Sequence, residues 1–399
     1  MSTEGIDIYM DNAATSWPKP PVVLEAIQEF FANAGGNTGR SGHRRSIESS
    51  RRVSLAREAL AELLGAETPD EVIFTKNATE GLNLAILGLA PMGGRIVTTS
   101  LEHNSVMRPL RHLEETGRCT LEIVRADGNT GEIDLEEWSS AIRRGGWCLA
   151  VATHASNVTG ALLPIDALAQ RAAAEGVPMV VDASQRAGHL PLDVAALGAA
   201  AGAMHGHKGL LGPTGTGVLY LAPHVDVPPL IRGGTGSQSE LETQPDFAPD
   251  KYESGTLNAM GIVGLGAAAR YLTEVGVDAV YGRLAELTRR FREGLAQVEG
   301  LVLYGPDDPA ASIGIVSVNV RGIPCATVSR LLDDESRIMT RAGLHCSPAA
   351  HRSLGTAPEG TVRFSWGFDT IEEEIDVAVR ALRDIASRRA GAKSAGALV

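Results

Sequence analysis

Lys208 stands between glycines and ahead of a glycine-rich turn, in Met204-His205-Gly206-His207-Lys208-Gly209 followed by Gly212-Pro213-Thr214-Gly215-Thr216-Gly217. Glycines in such a setting let the backbone approach a ligand closely, and an amine held there suits Schiff-base chemistry better than it suits solvent. Lysine is scarce in this chain, with only Lys19, Lys76, Lys208, Lys251 and Lys393, so few residues compete for that role. Upstream, the apolar run Pro178–Val181 ends in Asp182-Ala183-Ser184-Gln185. A carboxylate closing a buried strand needs a charged partner, and a protonated ring nitrogen would be one. A helix N-cap is the plainer reading of Asp182 alone.

Other polar clusters also stand where apolar runs end. Glu71–Thr75 leads into Lys76-Asn77-Ala78-Thr79-Glu80-Gly81 and a helical pattern, a junction whose backbone N–H groups suit a phosphate. Taken alone, Thr79 there is a helix cap. Arg95–Thr99 leads into Leu101-Glu102-His103-Asn104, where a histidine can stack on a flat ring or lie on the surface. Trp147–Thr153 leads into His154-Ala155-Ser156-Asn157-Val158-Thr159-Gly160. In open parallel sheets ligands bind at the carboxyl ends of the strands, so the order of these clusters carries more than any one of them. Of the four cysteines, Cys119 and Cys148 lie in strand patterns and Cys325 in an apolar stretch, as small buried hydrophobes do. Cys346 lies among turn residues after His345, which could help generate its thiolate.

The elements that must position these groups alternate. Short apolar strands at 71–75, 95–99, 121–125, 147–153, 178–182 and 218–221 are separated by amphipathic helices such as Pro164–Glu175, as in a parallel sheet covered on both faces. From about Asn258 the character changes to a long helical stretch, Gly261 to about Val298, then strands at 312–320 and 361–366 and a closing helix from Glu372. The expected division is a large α/β domain over 17–262, a smaller α+β domain over 1–16 and 263–388, and a disordered tail over 389–399. A length of 399 residues fits such a pair of domains.

Composition narrows the partners. A net charge of −12 without a basic stripe disfavours nucleic acid. No apolar run approaches a membrane span, and the start MSTEGIDIYMDNAAT lacks a signal peptide's basic and apolar regions, so a cytoplasmic enzyme is expected. The cysteine spacing gives neither a disulfide framework nor a zinc site.

Ten blocks, in order, resemble the cysteine desulfurase and selenocysteine lyase branch of the class V aminotransferases, which are fold-type I pyridoxal-phosphate (PLP) enzymes. They begin with Tyr9–Thr15, Asn37–His43, Lys76–Gly81, Glu102–Ser105, His154–Gly160, Asp182–Gln185 and Gly206–Lys208, and end with Glu253–Asn258, Arg341–Cys346 and Val362–Ser365. The resemblance implies a large domain with a mostly parallel seven-stranded sheet and PLP held as an imine on Lys208. It implies His103 stacked on the ring, Asp182 at the ring nitrogen and Gln185 at the phenolic oxygen. Thr79, Ala78, His205 and His207 would lie about the phosphate, with Thr256 reaching it from the other subunit of a homodimer. Asn157, Arg363 and Asn12 would hold the substrate, and Cys346 would be the nucleophile.

The implied reaction converts L-cysteine to alanine. Lys208 takes the Cα proton, and Cys346 receives the sulfur as a persulfide for an acceptor protein. His205 replaces a frequent serine and Ala78 a frequent threonine; the loop lacks the His-His-Cys pattern of one desulfurase branch. Selenocysteine, cysteine sulfinate or another small amino acid are alternative substrates. A PLP-sensing module of a transcription regulator is another class, and it would require a basic DNA-binding segment that these 399 residues lack.

Overall fold

The computed structural model describes residues 7–39, 42–144 and 146–396. Thirteen strands occur among them. After β1 (Ile8–Tyr9), seven form one sheet: β2 (Val72–Thr75), β3 (Gly94–Thr99), β4 (Cys119–Val124), β5 (Cys148–Thr153), β6 (Met179–Asp182), β7 (Ala201–His205) and β8 (Gly217–Leu221). Their spatial order is β2-β8-β7-β6-β5-β3-β4. Only β8 runs antiparallel to its neighbours, so the sheet is mostly parallel as expected.

Period-two alternation divides the strand side chains between two cores. Ile73, Ile96, Val151, Val180 and Leu219 pack with the helices Ala78–Leu89 and Asn104–Glu115. Val72, Phe74, Val97, Ala152, Val181 and Val218 pack on the opposite face with the helices Arg44–Leu64, Leu135–Arg143 and Ile165–Ala174. Both faces are covered, which fits strands apolar on both sides.

The remaining strands are β9 (Leu301–Tyr304), β10 (Ile315–Val320), β11 (Ile338–Met339), β12 (Arg341–Gly343) and β13 (Thr361–Ser365). Four form an antiparallel sheet in the order β12-β13-β10-β9. Phe364 and Trp366 pack Phe291 of the helix Val277–Leu295 against it, at ring-centroid distances of 5.0 and 5.3 Å. β1 pairs in parallel with β11, and Asp11 bridges Ser365, so the N-terminal arm lies along this sheet.

Two expectations change. The single long helix from Gly261 is two helices, Ala259–Val275 and Val277–Leu295, because Gly276 between them has φ of +83°. The closing helix runs from Glu372 to Gly396, so residues 389–396 of the expected tail are helical. Residues 397–399, the expected domain's residues 1–6, and Arg40 and Ser41 of the Asn37–His43 block lie outside the described residues.

Candidate active site

β6 and β7 are adjacent and parallel, which brings Asp182 and the turn after His205 to one end of the sheet. Asp182 is 3% exposed, and its Oδ1 accepts the Ser184 N–H at 2.9 Å. The Lys208 turn packs directly on the loop after β6. A Cβ on Gly209 would fall well inside contact distance of Ala187 O and against the His189 ring. Burial lowers the Lys208 amine to about 8; Asp182 opposes that shift, while Arg363 and Arg341 add to it.

The N-terminal arm clamps this turn. His207 O accepts from Ser16 N at 3.0 Å, Ser16 Oγ at 3.2 Å, Thr15 Oγ1 at 3.2 Å and Lys19 Nζ at 2.8 Å. Ser16 Oγ also donates to Lys208 O at 2.9 Å. Lys19 is partly buried, which lowers its pKa to about 8. Its place beside prolines gave no sequence signal for this role.

At the start of the helix Ala78–Leu89, Asn77 Oδ1 accepts from Glu80 N at 3.0 Å, and Ala78 N donates to His205 Nδ1 at 3.4 Å. Gly217 lets this turn close on β8, since a Cβ there would lie 2.6 Å from the Asn77 backbone. The His205 and His207 rings meet edge-on at 5.0 Å. Burial and the neighbouring Lys208 lower His205 to about 2 and His207 to about 4, so both are neutral at physiological pH. Thr79 is exposed beside them. Thr256 is also exposed, in a depression shared with Lys76, Glu80 and Asn258.

His103 caps the helix Asn104–Glu115; its Nδ1 accepts from Ser105 N at 3.0 Å, which leaves the ring proton of the neutral form on Nε2. Burial, then Lys208, lowers His103 to about 4. Gln185 is 4% exposed; its Nε2 donates to Ala13 O at 3.1 Å, and its Oε1 has no protein partner. Behind this wall Glu102 is fully buried, its Oε1 accepting from Thr99 Oγ1 and Thr153 N. Burial raises its carboxyl to about 8.

Arg363 is 1% exposed on β13. Its Nη1 donates to Asn157 O at 2.9 Å and its Nη2 to Asp11 Oδ1 at 2.7 Å, while Nε has no protein partner. The Asn157 amide is engaged with the cysteine loop, donating to His345 O at 2.7 Å and accepting from Ser347 Oγ at 2.6 Å. Asn12 is likewise engaged: Oδ1 accepts from Trp17 N at 3.0 Å and Nδ2 donates to Ser365 O at 3.3 Å.

Cys346 is the one exposed cysteine. Asn104 N donates to Cys346 O at 2.8 Å, which ties the thiol loop to the His103 helix. His345 and Cys346 both take left-handed backbone, φ +48° and +59°, a conformation costing on the order of 1 kcal/mol at each non-glycine residue. The expected help from His345 in forming a thiolate is corrected. Its ring turns inward, bonded through Nε2 to Thr361 Oγ1 at 3.1 Å, and burial lowers it to about 2. The cation beside the sulfur is Arg341, with Nη2 3.6 Å from Sγ.

Ser184 Oγ, Gln185 Oε1, His207 Nδ1 and Arg363 Nε are buried without protein partners, an arrangement that asks for a polar ligand. A flat, protonatable ring aldehyde bearing a phosphate fits this donor and acceptor set, with the Lys208 amine, the Asp182 carboxylate and a helix N-terminus around it. No group of three or more metal-ligating side chains occurs among the described residues.

The aminotransferase class-V family profile matches residues 8–377. A probable cysteine desulfurase of Pyrococcus abyssi is 37% identical over 389 residues, covering 95% of this chain and 94% of that protein. The apo structure of cysteine desulfurase from Thermococcus onnurineus NA1 superposes with a TM-score of 0.89 at 34% identity, over 96% of each chain. The cysteine desulfurase CsdA from Escherichia coli, solved as its S-sulfonic acid, gives 0.84 at 27% identity, over 96% of this chain and 95% of CsdA.

Proposed function

This chain belongs to the aminotransferase class-V family, and we propose that it is a PLP-dependent L-cysteine desulfurase. It produces L-alanine and leaves the sulfur on Cys346 as a persulfide for an acceptor protein. The observation that carries this reading is the hydrogen bond from Asn104 N to Cys346 O, which holds an exposed thiol at the helix that begins beside His103.

Lys208 would hold PLP through Nζ, Asp182 would face the ring nitrogen, and His103 would cover the ring. Thr79, through its hydroxyl and backbone N–H, and His205 and His207 would surround the phosphate. Bound there, PLP supplies an electron sink that acidifies the substrate's Cα–H. Lys208 Nζ, with its amine lowered to about 8, accepts and returns that proton near neutral pH. Neutral His103 carries a proton on Nε2 that it can lend across the site. Arg363 receives the substrate carboxylate, and Asn157 serves that carboxylate through the loop it holds. The Cys346 sulfur attacks the substrate's sulfur. The S–S bond forms as C–S breaks, the electron pair returns to carbon, and a proton at Cβ completes alanine. The Arg341 guanidinium donates toward the sulfur at which this step begins, Nη2 lying 3.6 Å from Sγ.

The working unit is a cytoplasmic homodimer in which the exposed Thr256 reaches the neighbouring phosphate. The division into a cofactor-holding domain over 17–262 and a smaller one over 1–16 and 263–388 is part of the same proposal. The test is product analysis on a panel of small amino acids, including selenocysteine and cysteine sulfinate. One alanine per sulfur released from L-cysteine, at the highest kcat/KM of the panel, supports the reading; a keto acid as the product refutes it.

A further inference from the structure

The Nε–H and one Nη2–H of a guanidinium form a planar edge that grips a carboxylate bidentately. On Arg363 this edge is half-used. Nη1 is committed to Asn157 O, Nη2 carries Asp11 Oδ1 at 2.7 Å, and buried Nε has no partner. Asp11 therefore sits as a one-handed occupant of a two-handed site. The two residues differ in burial as well, with side-chain exposures of 1% for Arg363 and 22% for Asp11. A buried guanidinium left without an anion is costly, whereas a partly exposed carboxylate returns to water cheaply.

We propose that Asp11 is a placeholder carboxylate, which neutralises Arg363 while the amino-acid site is empty and is displaced from the Nε–Nη2 edge by the substrate's α-carboxylate. The proposal rests on the reading of Arg363 as the substrate-carboxylate residue. Competition from Asp11 weakens every amino acid at the site alike, so it trades substrate affinity for release of alanine. Asp11 is thus a positioning residue acting through Arg363, carried by the arm that also holds the Lys208 turn.

The experiment uses the holoenzyme and 3-mercaptopropionate, which has the carboxylate and thiol of cysteine but no amine to react with PLP. Calorimetric titration of Asp11→Asn should give a Kd about threefold to tenfold lower than wild type. The KM for L-cysteine should fall by a similar factor without a rise in kcat. The ligand should also raise the melting temperature of Asp11→Asn more than that of wild type, because it restores the missing anion. A merely structural role would weaken binding instead, and a weakened or unchanged Kd overturns the proposal. Arg363→Lys separates the two levels. If it retains wild-type affinity for 3-mercaptopropionate, the assignment of Arg363 fails and the proposal with it. If it loses that affinity while Asp11→Asn is unchanged, the placeholder alone fails.

Discussion

In the proposed reaction the chemistry turns on Lys208, and its surroundings set the pH at which its amine is free. Burial removes water from its ammonium, and Arg363 and Arg341 add to that effect, so the amine is lowered to about 8 despite Asp182. An amine adds to an aldehyde only when unprotonated. PLP uptake by the cofactor-free protein should therefore accelerate as pH rises through about 8 and level off above it, not near the ordinary lysine value of 10.5. Stopped-flow absorbance at a series of pH values measures this; in Lys208→Ala the imine band should be absent at every pH. At the sulfur, Cys346→Ser keeps the groups that bind cysteine but offers a hydroxyl in place of a thiolate. Sulfur release should fall about a hundredfold or more, while the spectral change on adding cysteine persists. Retained release in this variant would move the nucleophile's role to a free thiol in solution.

At the level of elements, the site depends on how closely two turns meet. A side chain on Gly209 would collide with the Ala187 carbonyl and the His189 ring. Gly209→Ala should push the Lys208 turn off the loop after β6, at a cost of about 1–3 kcal/mol. Equilibrium dialysis should show weaker PLP retention together with a lower melting temperature; unchanged retention would mean that this packing does not position Lys208. The strands that carry Asp182, His103 and Asn157 were legible because Val180, Ile96 and Val151 stand in short apolar runs ending in polar clusters. β7 was not legible. Ala201-Gly202-Ala203-Met204-His205 has no branched residue, and it is a strand because small residues let the helix Ala78–Leu89 lie close. An ideal Cβ on Gly81 would be 3.4 Å from that of Ala203. Likewise β1, β11 and β12, of two or three residues each, exist only through long-range pairing that no local pattern announces. The roles of Thr15, Ser16 and Lys19 were hidden for the same reason: they act on carbonyls nearly two hundred residues away.

For the whole molecule, the exposed loop at Thr256 is anchored from within. Arg57 holds Glu253 through bonds of 2.7 and 2.8 Å, and Glu253 accepts the Phe74 N–H at 2.7 Å. This fixes the base of the loop that presents Thr256 outward. If each site borrows Thr256 from the other subunit, neither Lys208→Ala nor Thr256→Ala dimers contain a complete site. A heterodimer of the two has one. Random reassociation of equal amounts should then restore about a quarter of wild-type activity at limiting PLP, and no restoration would refute the sharing. In the proposed reaction, transfer of the substrate sulfur ends on this chain's own thiol. Its most direct test is mass spectrometry of the wild-type holoenzyme, mapped by peptide after a brief pulse of L-cysteine. One added sulfur atom is expected on the peptide bearing Cys346, formed together with one alanine and lost on treatment with a reductant. Alanine formed while that peptide stays unmodified would contradict it.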